Sequence, residues 1–204
     1  MKRTMTVVAG FSILAAGCAT VSDEEIAQKA LAVMKASFED KGQAKIDRLD
    51  QDETQKLCSH SPSQPIGKQT AAAIEQANKA TIRYPADGKL LGNWREGEKI
   101  AQSGRGMQSN DNPKQPSGAN CYACHQLSKE EISYGTIGPS LYHFGKIRGN
   151  SEAIQRYAYG KLYNSQAFTA CSNMPRFGHK GILTEKQLKD LTALLLDPDS
   201  PVNR

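Results

Sequence analysis

An all-α fold is predicted for this 204-residue chain by three observations. Apolar residues recur at helical spacing near both ends, and capping residues flank those stretches. Between them lies a C-x-x-C-H run, Cys121-Tyr122-Ala123-Cys124-His125, whose spacing fits one helical turn. Both sulfurs then reach one edge of a macrocycle, and the histidine projects beneath its metal. That is the attachment pattern of a c-type haem.

A bare C-x-x-C would be ambiguous among zinc binding, thiol redox chemistry and a disulfide. His125 removes most of that ambiguity. A zinc or thioredoxin-like site would need a second ligand pair or a strand before the motif, and the sequence offers neither. One covalently bound haem c is therefore expected, with Cys121 and Cys124 as thioether donors and His125 as proximal iron ligand.

Taken in order, the chain begins with Lys2-Arg3 and an apolar stretch from Val7 to Ala16, the charged and hydrophobic regions of a secretory signal over residues 1–18. The stretch is too short for a permanent membrane span. An exported, periplasmic protein is expected. Two readings of the cleavage site stand side by side. Leu14-Ala15-Ala16-Gly17-Cys18 resembles a lipoprotein box that would acylate Cys18 and give a lipid anchor, and an ordinary cut near Ala19 would remove that cysteine.

Residues 22–41 read as a helix, with Ser22 as cap, early acids, Ile26, Leu31, Met34 and Phe38 near helical spacing, and Gly42 as the stop. From Gln43 to Asp87 the pattern is mixed, with a Ser/Pro-rich turn from Ser59 to Pro65 and a helix across Thr70 to Lys79. Residues 19–89 are thus an N-terminal extension, partly helical, packed on a haem domain of residues 90–204. A first domain helix spans Asn93 to Ala101, with Gly97 where a small residue allows close crossing. Gly104 to Gly118 is a polar loop leading into the motif. At the far end Thr184-Glu185-Lys186-Gln187 is a capping box ahead of Leu188, Leu191, Leu194 and Leu195 on one face, and Asp197-Pro198 ends that helix. A first and a last helix crossing beside a haem is the class I cytochrome c arrangement, a fold-level analogy that rests on the motif as much as on periodicity.

Two more segments bear on the iron. In Gly138-Pro139-Ser140-Leu141 the Pro139 carbonyl is placed to accept from the other nitrogen of His125, fixing its tautomer and raising its donor strength. Met174, in Met174-Pro175-Arg176-Phe177-Gly178, stands in the loop before the last helix, where a distal ligand belongs. A neutral thioether favours ferrous iron and raises the reduction potential. His60, His143 and His179 are rival ligands that read better as surface residues. Met34 and Met107 read as core filling.

With Cys18 in the leader and Cys121 and Cys124 on the haem, Cys58 and Cys171 are left over. In an oxidising compartment they are expected to pair, tying the extension to the haem domain. A Cys171 thiolate on the iron and a bridge to a partner chain are the competing readings. The net charge of +5, or +3 once Lys2 and Arg3 leave with the leader, argues for no nucleic-acid or membrane-surface affinity.

The segments Asn120 to His125, Gly135 to Leu141, Met174 to Gly178 and Leu195 to Asn203 together resemble the SoxX family, the monohaem subunits of SoxAX cytochromes in bacterial sulfur oxidation. The likeness covers roughly residues 90–204. Met-Pro-Arg-Phe-Gly and Leu-Asp-Pro-x-Ser-Pro-Val-Asn set it apart from cytochromes c in general. The resemblance implies a SoxA partner that handles thiosulfate, forming a heterodimeric L-cysteine S-thiosulfotransferase. Thiosulfate would be joined oxidatively to a carrier cysteine on SoxYZ. Two electrons would leave one at a time through this chain's haem to a soluble cytochrome c. No catalytic base or nucleophile is expected here. A docking face using Tyr142, Phe144 and Phe177 would meet the partner. The alternatives are a free-standing electron carrier, which predicts a stable monomer, and a peroxidase-like protein, which needs Met174 off the iron.

Overall fold

The computed structural model describes residues 21–59 and 65–204. The expected leader with Cys18 lies outside the described residues, as do His60 and most of the Ser59–Pro65 turn. Among the described residues the structure is helical, with one isolated bridge between Lys41 and Ala44 and no strand. No described helix is long and apolar enough to cross a membrane. The chain divides after Glu39 into two compact units.

The first unit contains α1, Asp23–Ser37. Ser22 caps it by accepting from the Glu25 N–H at 3.2 Å, and Lys29 pairs with Glu25 at 2.8 Å. None of its residues is buried. The helix stops at Phe38 rather than at Gly42, because the chain turns extended there. Asp40 instead accepts from the Ile46 N–H and pairs with Lys45, the local side-chain bonding by which aspartate competes with helix. Gly42 belongs to the next turn, at φ +56°, where an added Cβ would lie 2.1 Å from the Ser109 carbonyl oxygen.

The second unit, Asp40–Arg204, opens with a 3₁₀ turn at Ile46–Leu49 and the short α2, Glu53–Cys58. Helix α3, Lys68–Lys79, follows, starting two residues earlier than periodicity predicts. Helix α4, Trp94–Gln102, crosses α7, Glu185–Leu196, at Gly97. The approach is so close that a Cβ on Gly97 would sit 2.2 Å from the Asp190 carbonyl oxygen. Buried Asp190 also accepts from the Asn93 N–H at 2.8 Å and from Lys186 at 2.7 Å, fastening the start of α4 to α7. The predicted capping box is present: Thr184 accepts from the Gln187 N–H, and Gln187 accepts from the Thr184 N–H.

Two helices lie where the sequence pattern marks none: α5, Phe144–Arg148, and α6, Glu152–Tyr163. Helix α6 packs Ala158, Tyr159 and Leu162 into the core beside Leu188, Leu191 and Leu194 of α7. Its interior Gly160 and clustered tyrosines blur the apolar period. The sequence reading drew the haem domain from residue 90, whereas residues 40–89 share its compact unit. A buried amide network explains the union. Asn164 donates to Asn78 Oδ1 and Thr81 Oγ1, both at 2.9 Å, and Asn78 donates to Thr54 Oγ1 at 3.0 Å. Buried amides must be partnered, so these pairs fix the register of the two segments.

Candidate haem-attachment site

The C-x-x-C-H run forms a single 3₁₀ turn, Cys121–Ala123, entered through Asn120 in the left-handed region at φ +47°. Backbone bonds set it against the end of α4: the Ala119 N–H donates to the Ile100 carbonyl and the Asn120 N–H to the Ser103 carbonyl, both at 2.9 Å. The Cys124 and His125 N–H groups both donate to the Cys121 carbonyl, closing the turn. Cys121 and Cys124 are free thiols, half-buried, and not paired with each other. Burial pushes the Cys121 thiol up to about 12, so it is held as a neutral thiol. Tyr122 is buried behind the turn, its hydroxyl donating to Glu98 Oε1 at 3.1 Å. Burial in turn raises the Glu98 carboxyl above the ordinary range, despite bonds from Tyr122 and Gln102.

His125 Nδ1 lies 2.7 Å from the Pro139 carbonyl oxygen. A carbonyl only accepts, so the ring proton sits on Nδ1 and Nε2 keeps its lone pair for a metal. Gly138 gives the ring its room: a Cβ there would lie 2.1 Å from His125 Cε1 and 2.5 Å from Nδ1. Gly135 allows the same closeness against the motif itself, with an added Cβ 1.9 Å from the Ala123 carbonyl oxygen. Its N–H donates to the Tyr122 carbonyl and that of Gly138 to the Cys124 carbonyl, each at 2.8 Å. The importance of these two glycines was not read from the sequence, although their spacing, Gly135-x-x-Gly138, was visible. Two free thiols, an imidazole fixed in one tautomer with Nε2 available, and a cradle that a Cβ would fill together fit a covalently attached haem. Bound there, the group supplies one-electron chemistry. The chain supplies its attachment, the proximal ligand and the shaping of that ligand.

Met174 lies in the connection between α6 and α7, half-buried against the core. Its carbonyl accepts from Ser165 Oγ at 2.5 Å and its N–H donates to Ser172 Oγ at 3.2 Å. Three residues earlier, Cys171 is joined to Cys58 in a disulfide, with Cα atoms 5.3 Å apart. Two residues later Arg176 is buried and paired with Asp52 at 2.5 Å, and Lys180 reaches the same carboxylate oxygen at 2.7 Å. Burial opposes the charge on Asp52, but the bonds from Lys180, the Gln55 N–H and Arg176 prevail and hold its carboxyl well below the usual range.

Of the rival histidines, His143 is engaged at the C-terminus: its Nε2 lies 2.7 Å from the Arg204 carbonyl, and Tyr142 stacks on its ring at 3.8 Å. His179 is half-buried, and burial followed by Arg176 and Lys180 lowers its pKa. The expected docking trio needs correction. Phe177 is a core residue, 6% exposed, because its backbone binds Ile182 and Leu183 and turns the ring inward. Phe144 also packs against the core. Among the described residues no group of three or more His, Cys, Asp or Glu side chains forms a metal cluster.

The family model described as cytochrome c matches residues 112–197, which span the motif, Pro139, Met174 and α7. An uncharacterized lipoprotein of Aquifex aeolicus (strain VF5) is 40% identical over 157 residues, 76% of this chain and 73% of its own length. The chain belongs to the family of that Aquifex protein, and with its cytochrome c domain it is a c-type cytochrome, an electron-transfer protein with covalently bound haem.

Proposed function

We propose that this chain is a monohaem, exported electron-transfer subunit of SoxX type, with His125 and Met174 as axial iron ligands. The reading rests above all on the His125–Pro139 contact, which engages Nδ1 and leaves Nε2 as the imidazole nitrogen that could take a metal. It is supported by Met174 in a loop held on both sides. His/Met ligation suits an acceptor of fairly high potential. In a SoxAX-type complex the partner SoxA would carry the thiosulfate chemistry of the thiosulfotransferase. This chain would take the two electrons singly and hand them to a soluble cytochrome c. The family likeness at Leu195 to Asn203 gains a structural role here. Asn203 accepts from the Gly145 and Lys146 N–H groups and donates to the Leu195 and Asp197 carbonyls, latching the chain end onto α5 and α7.

With Phe177 buried, docking falls to the loop after the haem motif, where Ile132 is fully exposed and Ile137 is 80% exposed. The Aquifex relative's description as a lipoprotein favours acylation of Cys18 over an ordinary cut. Affinity isolation of the tagged chain from its host's periplasm and membranes tests the whole reading. A second c-type cytochrome at fixed ratio, with thiosulfate-dependent reduction of both haems, is expected. A lone monohaem protein indifferent to thiosulfate would leave a free-standing carrier.

A further inference from the structure

The connection from α6 to α7 is long and without regular helix beyond the 3₁₀ turn Ser165–Ala167. Such a segment has many conformations to lose, and a neutral thioether at its centre is a weak hold on a metal. Yet elements before residue 80 grip the connection on both sides of Met174. On the near side, α3 supplies Glu75, which accepts from the Ala170 N–H at 3.0 Å, and α2 supplies Cys58, bonded to Cys171. Cys171 sits at φ +58°, a conformation that a non-glycine residue keeps only where its surroundings over-determine it. On the far side, Asp52 holds Arg176 and Lys180. Asp52 is itself fixed as the N-cap of α2, its Oδ1 accepting from the Gln55 N–H at 3.0 Å while Oδ2 takes the two cations. One short helix thus carries both clamps at its two ends, and the methionine lies between them.

We infer that Asp52 and the Cys58–Cys171 disulfide are positioning residues for the distal ligand: α2 is a clip that keeps Met174 in place. The inference rests on Met174 being that ligand. The clip does no chemistry of its own. It raises the fraction of molecules in which the thioether is available, and so sets how easily an outside ligand displaces it.

Imidazole titration of the ferric holoprotein, followed by its Soret shift, with the reduction potential measured alongside, tests this. Asp52→Asn keeps an N-cap of equal quality while removing the charge, so the fold survives the change. It should bind imidazole about tenfold more tightly than the parent, equivalent to about 1.4 kcal/mol. The double variant Cys58→Ser/Cys171→Ser should do the same or more. Met174→Ala should bind it more tightly still and lower the potential. Asn203→Ala, which unlatches the chain end from α5 and α7 and touches neither the haem motif nor the Met174 connection, should bind as the parent does. If Met174→Ala shows the effect and both clip variants match the parent, the clip is overturned and the ligand stands. If Met174→Ala also matches the parent, the ligand and the clip fall together. If Asn203→Ala tightens binding as much as Asp52→Asn, the effect is one of general stability and the clip is overturned.

Discussion

Replacing Gly97 with alanine sets two known effects against each other. In an exposed helix the change would favour folding by about 1 kcal/mol, because alanine is the better helix former. At this crossing the new methyl would lie 2.2 Å from the Asp190 carbonyl oxygen, 2.7 Å from its carbon and 3.0 Å from Leu194 Cβ. Comfortable separations between non-bonded heavy atoms are about 3.5–4.0 Å, so α4 and α7 must part by an ångström or more. The two nearest atoms are backbone within a helix and cannot rotate aside. Parting the helices loosens Ala101, Leu191 and Leu194, all at most 2% exposed. Overpacking of a well-filled core costs about 1–3 kcal/mol, and this contact belongs at or beyond the upper end. The net expectation is a loss of about 2 kcal/mol, or roughly 4–8 °C in Tm for a chain of this size. Thermal unfolding of the holoprotein, followed by far-ultraviolet circular dichroism and by the Soret band, measures it. An unchanged or raised Tm would refute the close crossing, since helix propensity alone would then govern the position.

Four further outcomes are expected. Removing the Cys58–Cys171 disulfide, which spans a sequence separation of 113 residues, should lower stability by about 4–5 kcal/mol from loop entropy; a loss under about 1 kcal/mol in denaturant titration would show that the unfolded chain gains little freedom. Asp52→Asn should cost about 1 kcal/mol at neutral pH. Because folding depresses this carboxyl, its contribution is full above the unfolded value of about 3.9 and is lost as pH falls toward the lower folded value, so the gap between parent and variant should begin to narrow below about pH 4 and go on narrowing as acid is added; a gap as wide in strong acid as at neutral pH contradicts the ion pairs. Gly138→Ala should push a methyl into the His125 ring and disturb proximal ligation, visible as an altered Soret spectrum and a shifted potential; a parental spectrum would exclude the cradle. Met174→His should lower the reduction potential, by exchanging a thioether for a better donor to ferric iron, and a potential equal to the parent's would argue that Met174 is not on the iron.

What the sequence by itself determined is local. Haem attachment needs two thiols and an imidazole on one turn, and residues 121–125 carry that geometry in their spacing. The Thr184–Gln187 box is equally legible, because a cap involves partners three residues apart. Gly97 announced a crossing without naming what crosses it. The pairing of Cys58 with Cys171 followed from counting cysteines and not from any contact the sequence displays. Elsewhere the same residue types carried no such message. Phe177 read as a docking residue and is core, because its orientation depends on how the connection folds back between Tyr163 and α7. Helix α6 was hidden by Gly160, whose missing side chain makes room for the Phe168 ring and the Tyr84 hydroxyl, 3.0 and 3.1 Å from an added Cβ.

Only the tertiary structure decided that residues 40–89 belong with the haem region. The partnerships of Asp52 with Arg176 and of Asn78 with Asn164 span long stretches of chain, and each side chain alone would read as ordinary surface polarity or a helix cap. Contacts within one turn are settled by covalent spacing, so sequence reveals them. Contacts across the chain are settled by which apolar faces bury together, and by the demand that every polar group trapped between them finds a partner.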